Sequence, residues 1–405
     1  MSGNPISAWR GYLRQNGSKG IRNKILVMYT VECASFVAKE IGSSFRNSEI
    51  DVDVVGFAGC TDNEYALRMM IALLRHPNVG AVLTVGLGCE YLQGRKLAEI
   101  ARQEGKPADW MLIQDRGGTL NTIEAGKDAV RKLHDQLQRE TVMTEMNIHE
   151  LIVGAECGGS DYTSGLSGNV VVGRLFDKLV EAGGTAIFEE IVEAIGLKEI
   201  MLGRAANESA RADLGAAYDK MLDYCKSVRQ YSVSPGNFAG GLTTIEEKSM
   251  GAFAKSGTKP IEGVLRVSQT PPNPGLWLLD STPDPYFMGF GYTNPNDSEG
   301  LMDLVCSGCH LLFLVTGRGT VVGSAVSPVI KVTGNENTFR RMSGDLDFCS
   351  GAALTGEKTM DELAAELLGL VVQACQGQLT KAELLNHKEY FIPYKYQSTG
   401  KNCEV

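Results

Sequence analysis

Along the first third of the chain, apolar residues come in short β-branched runs separated by longer stretches with helical spacing. Residues 25–29 (ILVMY), 52–57, 81–87 and 110–114 read as strands. A loop and helix follow over 31–45, and further helices over 65–75, 95–104 and 122–139. Strand and helix alternating in this way predict a parallel sheet with helices on both faces. Wholly apolar runs such as 81–83 suit strands buried on both sides. The polar stretch 138–147 reads as a linker. A second strand–helix run starts at 150–154 and continues with a helix over 170–182 and a strand over 185–188. Later strands are expected at 275–279, 311–315, 329–332 and 346–348, with an amphipathic helix over 360–376. The expected fold is α/β, two Rossmann-like parallel-sheet domains with helices on both faces, over residues 1–145 and 146–405. Pro271, Pro272, Pro274, Pro283 and Pro285 mark loops and suggest an inserted segment in the second domain.

Composition adds exclusions. The 405 residues are 43% hydrophobic and 21% charged, which rules out a disordered or fibrous chain. A net charge of −9 without any basic run argues against nucleic acid or an acidic membrane as partner. No apolar stretch is long enough to span a bilayer. The first 24 residues lack the apolar centre of a signal peptide, so a cytoplasmic location is expected. Acidic enzymes of this size are commonly symmetric homo-oligomers, and that is the expectation here.

Ten cysteines in such a chain should be thiols or metal ligands rather than disulfides. Five share one context: Cys33, Cys60, Cys89, Cys157 and Cys349 each lie at or just past the end of a predicted strand, beside glycine or another small residue. Ligands of open α/β sheets bind beyond the carboxyl ends of the strands. The five therefore read either as a thiolate metal site or as small buried residues at tight turns. Thiolates would select iron or zinc. Cys306 and Cys309 form one CxxC with no partner pair and read as structural. Cys225 and Cys375 fall in helical patterns and read as core; Cys403 is in a polar tail.

Glycine-flanked polar motifs recur near the same strand ends: Gln114-Asp115-Arg116-Gly117-Gly118-Thr119, Cys157-Gly158-Gly159-Ser160-Asp161, the stretch from Ser234 through Asn237, Thr243 and Thr244 to Lys248, and Thr316-Gly317-Arg318-Gly319-Thr320. They offer hydroxyls, amides, carboxylates and an arginine, the partners that a hydroxylated anion needs. None is a dinucleotide or P-loop fingerprint. Histidine is scarce and no Ser-His-Asp arrangement stands out. A general base would come from Lys248, Lys331, Asp161 or Glu90.

Together with 11–14 and 17–23, and in the order in which they occur, these motifs resemble the altronate dehydratase/galactarate dehydratase family, which also includes sulfolactate sulfo-lyase. The resemblance covers roughly residues 10–395. It implies a lyase that eliminates water from a sugar acid to give a 2-keto-3-deoxy acid, with activity dependent on iron (Fe2+), mononuclear or as an iron–sulfur cluster. By motif, Cys33, Cys60, Cys89 and Cys157 become candidate iron ligands, and Cys349 matches a further cysteine. Arg22, Asn23, Asp115, Gly117, Gly118, Thr119, Ser160, Asn237, Thr243, Thr244 and Arg318 become candidate substrate contacts. Arg318 would hold a carboxylate while Lys248 or Asp161 takes the C2 proton, with Lys331 a further catalytic candidate. Two departures accompany the resemblance. Full-length dehydratases begin with a small SAF-type domain, so a separate small SAF-type subunit is one expectation. The stretch 56–60 also lacks the histidine that dehydratases tend to carry, and 275–281 is closer to the sulfo-lyase pattern. A sulfo-lyase large subunit acting on a sulfonated hydroxy acid, or a non-catalytic sugar-acid binding subunit, are the alternatives.

Overall fold

The computed structural model describes residues 8–228, 235–282 and 296–394. Two units make up the chain. One comprises Arg10–Met146, Ala325–Ser327 and the chain from Lys388 on; the other holds Asn147–Ser324 and Pro328–His387. The two returns to the first unit carry no sequence signal, because they are short and follow no periodicity.

The first unit contains strands β1 (Trp9–Leu13), β2 (Lys19–Gly20), β3 (Lys24–Tyr29), β4 (Val52–Gly56), β5 (Val79–Gly86), β6 (Ala108–Leu112) and β7 (Val142–Met146). Its helices are α1 (Glu32–Ser43), α2 (Glu64–Arg75), α3 (Gly94–Gln103) and α4 (Thr119–Glu140). Strands β4-β3-β5-β6 form a parallel sheet in that order. Every residue of β3 and β5 is buried, and apart from Lys24 at the start of β3 and Thr84 within β5 their side chains are apolar. Helices α1 and α4 pack together and α2 packs on α3, as right-handed crossovers in opposite directions require. The predicted linker is instead the end of α4 followed by β7. That strand joins β1 and β2 in a small separate sheet, and its mostly exposed residues hide the strand pattern.

The second unit contains β8 (Ile152–Cys157), α5 (Asn169–Glu181), β9 (Thr185–Phe188), α6 (Lys198–Gly203), α7 (Glu208–Val228), α8 (Pro235–Ala239), α9 (Ile245–Phe253), β10 (Ile261–Arg266), β11 (Gly275–Asp280), α10 (Asp297–Cys306), β12 (Leu311–Thr316), β13 (Val329–Thr333), α11 (Glu336–Arg341), β14 (Phe348–Cys349), α12 (Met360–Cys375) and α13 (Lys381–Leu384). Its seven strands run parallel in the order β10-β11-β9-β8-β12-β13-β14. The inserted segment is the helical stretch α6–α9 between β9 and β10, not the proline-rich region. Pro271, Pro272 and Pro274 lie in the β10–β11 connection; Pro283, Pro285, Ser234 and Cys403 lie outside the described residues. From β8 the chain moves to one side through β9, and from β12 to the other through β13. The strand order thus reverses between β8 and β12, and it is beyond the carboxyl ends at such a reversal that open α/β sheets form their ligand crevice. Among the described residues no helix is long and apolar enough to cross a membrane.

Candidate active site

The loop leaving β8 is the hub of this crevice. Gly158 N donates to Val315 O at 2.9 Å, and Gly159 O accepts from Gly317 N (3.1 Å), Arg318 N (2.9 Å) and the Thr316 hydroxyl (3.2 Å). Asn237 Nδ2 donates to Ser160 O at 3.2 Å, bringing in α8. Cys157 Sγ sits 3.3 Å from Ser160 Oγ and receives the Asn169 side-chain N–H at 3.5 Å. Burial pushes the Cys157 thiol up, the nearby Glu193 charge adds to this, and Lys255 and the two hydrogen bonds oppose it.

Two matched ion pairs line the crevice wall. Lys248 and Lys255 are seven residues apart, so the helix α9 and the turn after it present both to one side. Glu190 and Glu193 are three apart across a 3-10 turn, where such residues eclipse. Lys248 Nζ meets Glu193 Oε1 at 2.5 Å, and Lys255 Nζ pairs with Glu190 Oε2. The pairs differ in access: Lys248 is 21% exposed and Lys255 only 2%. Burial would lower the Lys248 pKa, but Glu193 beside it wins and holds it above the ordinary lysine value. Burial pushes the Glu193 carboxyl up despite Lys248, and its second oxygen has no hydrogen-bond partner.

Further carboxyls crowd the same end of the sheet. Burial, with Glu189 and Asp297 alongside, pushes Glu156 well above the carboxylate range. Asp297, at the start of α10, is raised by burial and by Glu193. Ser281 donates its hydroxyl to Glu189. A cavity of about 10 Å³ lies among Glu189, Glu190, Glu193 and Lys255, room for about one water.

Of the residues read from the sequence, Lys248, Cys157, Ser160 and Asn237 gather here. Others have structural work. Asp161 accepts from Thr163 N (2.8 Å), Thr163 Oγ1 (2.5 Å), Ser164 N (3.2 Å) and Asn335 Nδ2 (2.9 Å), a set of bonds that commits its carboxylate to shaping the loop. Lys331 is fully buried, its ammonium near Val321 O (3.2 Å) and His387 Nδ1 (3.4 Å), with none of the crevice groups among these partners. Thr244 caps α9, accepting from Glu247 N, while Thr243 donates to the Glu247 carboxylate. Arg318 is exposed and donates to Gly236 O at 2.9 Å. Arg22 and Asn23 precede β3, at the amino end of its sheet. Asn23 bonds Arg14 and Thr141, and Arg22 donates to Ile21 O. Asp115, Gly117, Gly118 and Thr119 form the β6–α4 turn of the first unit, with Gly117 (φ 76°) and Gly118 (φ 101°) in the left-handed region. Glu90 accepts from Thr30 Oγ1 (2.6 Å), Leu87 N (3.1 Å) and Gly88 N (2.8 Å), closing its own loop.

The five strand-end cysteines divide between the units. Cys33, Cys60 and Cys89 are exposed and follow the adjacent strands β3, β4 and β5; Cys157 and Cys349 follow β8 and β14. Burial raises the Cys349 thiol as it does Cys157. Among the described residues, no three His, Cys, Asp or Glu side chains are arranged to hold a metal ion. The five thiols are thus not gathered into one ligand set among the described residues. Cys306 and Cys309 are buried, and burial drives both thiols well up, in keeping with a structural role.

The profile described as D-galactarate/altronate dehydratase, C-terminal, matches residues 148–398, and that of the D-galactarate dehydratase/altronate hydrolase second domain matches 11–138. The chain belongs to the galactarate/altronate dehydratase family. It is 32% identical to (2R)-sulfolactate sulfo-lyase subunit beta of Chromohalobacter salexigens, over 96% of this chain and 97% of that one. It is 31% identical to altronate dehydratase of Escherichia coli and 29% to that of Bacillus subtilis, covering 76% and 79% of those proteins. As a member, the chain is a lyase.

Reading the sequence missed Glu156, Glu189, Glu190, Glu193, Lys255 and Asp297. Two signals were there: the acid run 189–193 follows directly on the apolar strand 185–188, and the lysines 248 and 255 share a helical face.

Proposed function

We propose that the chain is a hydro-lyase removing water from a sugar-acid 2,3-dihydroxy carboxylate of the altronate or galactarate type, giving a 2-keto-3-deoxy acid. The observation that carries this reading is the Lys248–Glu193 pair at the strand-order reversal, with one Glu193 oxygen unpartnered. A carboxylate whose pKa is raised is a stronger base, and one with a spare oxygen can accept a carbon-bound proton. Glu193 takes the C2 proton and the electron pair moves toward the substrate carboxylate. The C3–O bond breaks, and the departing hydroxide takes a proton from Lys248, which Glu193 keeps as an ammonium. The enol left behind becomes the 2-keto acid. Lys248 thus serves as cation and acid, not as the base read from the sequence, because its carboxylate partner favours the charged form.

Sulfite elimination from a sulfonated hydroxy acid is a second reading. It draws support from the near end-to-end match to a sulfo-lyase subunit, and in that case a separate small subunit completes the enzyme. One experiment addresses both readings. The purified chain is incubated, with and without ferrous iron, with altronate, galactarate or sulfolactate, and 2-keto acid and sulfite are measured. Glu193→Gln should lower kcat by about 10²–10⁴-fold, the usual weight of a general base. Turnover by Glu193→Gln and Lys248→Met at the parent rate would sink the assignment.

A further inference from the structure

Glu190 has an uncommon backbone for its type: φ 67°, ψ 45°, in the left-handed region. A non-glycine residue is held there only when its surroundings demand it, and such positions cluster at functional sites. What this backbone achieves is the aim of the side chain. Glu190 Oε2 receives the backbone N–H of Cys157 at 2.8 Å and also pairs with the ammonium of Lys255. One carboxylate oxygen therefore joins the end of β8 to the turn after α9. Cys157 is the first residue of the hub loop, whose Gly159 and Ser160 carbonyls gather β12 and α8. Lys255 is buried and lies on the same side as Lys248. The crevice wall carrying Lys248 is thus tied to the crevice floor through Glu190.

We propose that Glu190 is a positioning residue: its carboxylate, aimed by the left-handed backbone, locks Lys255 to the Cys157 amide and so sets the placement of Lys248 and Glu193 against the β8 loop. This rests on the lyase reading above. Glu190 touches no substrate; it acts through the two elements that it joins.

Glycine substitution separates a bridge from a mere turn, since glycine adopts φ > 0 freely but supplies no carboxylate. For a turn-former, Glu190→Gly keeps full activity. For a bridge, Glu190→Gly and Glu190→Gln each lower kcat by about tenfold or more while KM stays within about threefold, because placement in the transition state is lost and binding is not. Lys255→Met should give a similar loss, and Glu190→Gln/Lys255→Met no more than either alone, the mark of two groups acting as one. Hydrogen exchange needs no substrate: the Cys157 amide in Glu190→Gly should exchange about tenfold faster or more than in the parent. Parent-like kcat in both Glu190 variants, or additive losses in the double variant, overturns the proposal. Unchanged exchange at Cys157 overturns it even where no tested substrate turns over. Faster exchange without any turnover leaves the bridge standing and counts against the lyase reading alone.

Discussion

At the scale of single residues, the crevice gathers buried carboxyls that burial holds above the ordinary carboxylate range. Glu156 is the extreme case, 4% exposed and pressed by Gly300, where a Cβ would lie 2.7 Å from its carboxyl. Its folded pKa is raised, so the native state binds a proton that the unfolded chain releases near pH ~4.3. Stability from this group is intact at low pH and declines as pH climbs from the unfolded toward the folded pKa. Glu156→Gln removes the decline. Its Tm should exceed the parent's, and the gap should widen from about pH 5 upward; a constant or reversed gap in thermal melts across pH would contradict this. Glu193 gives a second pH signature. Its raised pKa puts the acid limb of kcat/KM above the ordinary carboxylate value of ~4.3, and pH–rate profiles should show it. Residue chemistry was only partly legible in the sequence. Lys248 and Cys157 stood out, but Asp161 was read as a candidate base and Glu193 was not read at all. Asp161 is taken up by three donors from the turn just after it, at Thr163 and Ser164, and by Asn335 from far along the chain, whereas one Glu193 oxygen has no hydrogen-bond partner.

At the scale of elements, α9 matters most, since it carries Lys248. It lies close to the turn before α5 through two glycines: a Cβ on Gly165 would come 2.8 Å from the Gly251 Cα, and the converse holds. Gly251→Ala should force the backbones apart, costing about 1–3 kcal/mol of stability and lowering kcat as Lys248 moves off Glu193. Urea unfolding and steady-state kinetics check both; parent-like values would mean that the contact is slack. Strands such as β3, β5 and β12 were legible because burial on both faces leaves them almost wholly apolar. The helices α6–α9 were not, because their exposed and half-exposed faces dilute the periodicity, and β7 escaped because an exposed edge strand has no buried face to mark it.

At the scale of the whole molecule, the last described stretch of the chain belongs to the first unit. There Asp53, fully buried, is met by Lys388 Nζ at 2.6 Å, Lys24 Nζ at 3.3 Å and Val326 N at 2.7 Å. Burial alone would raise this carboxyl, but the two ammonium groups hold it well below the usual range. Tyr390 adds a hydroxyl contact to Tyr29 at 2.8 Å, and Tyr394 stacks on Phe57. Lys388→Met should strip one partner from a buried charge and cost the first unit about 1–3 kcal/mol. Denaturant unfolding of the full chain should register the loss, and an unchanged midpoint would show that Lys24 suffices. No local pattern announces such a return, since it joins residues more than three hundred positions apart.

The sequence by itself determined the α/β class and, through ordered motifs, the resemblance to the dehydratase family. Each of these depends on local periodicity or on short fixed strings, which a linear reading can detect. Only the tertiary structure decided which polar residues meet. Strand order puts β8 beside β12, the turn after β9 sets Glu190 and Glu193 against α9, and the strand-end cysteines divide between two sheets. Pairing across a parallel sheet is non-local, and a side chain's charge state follows from its burial and partners; neither is written in its immediate neighbours along the chain.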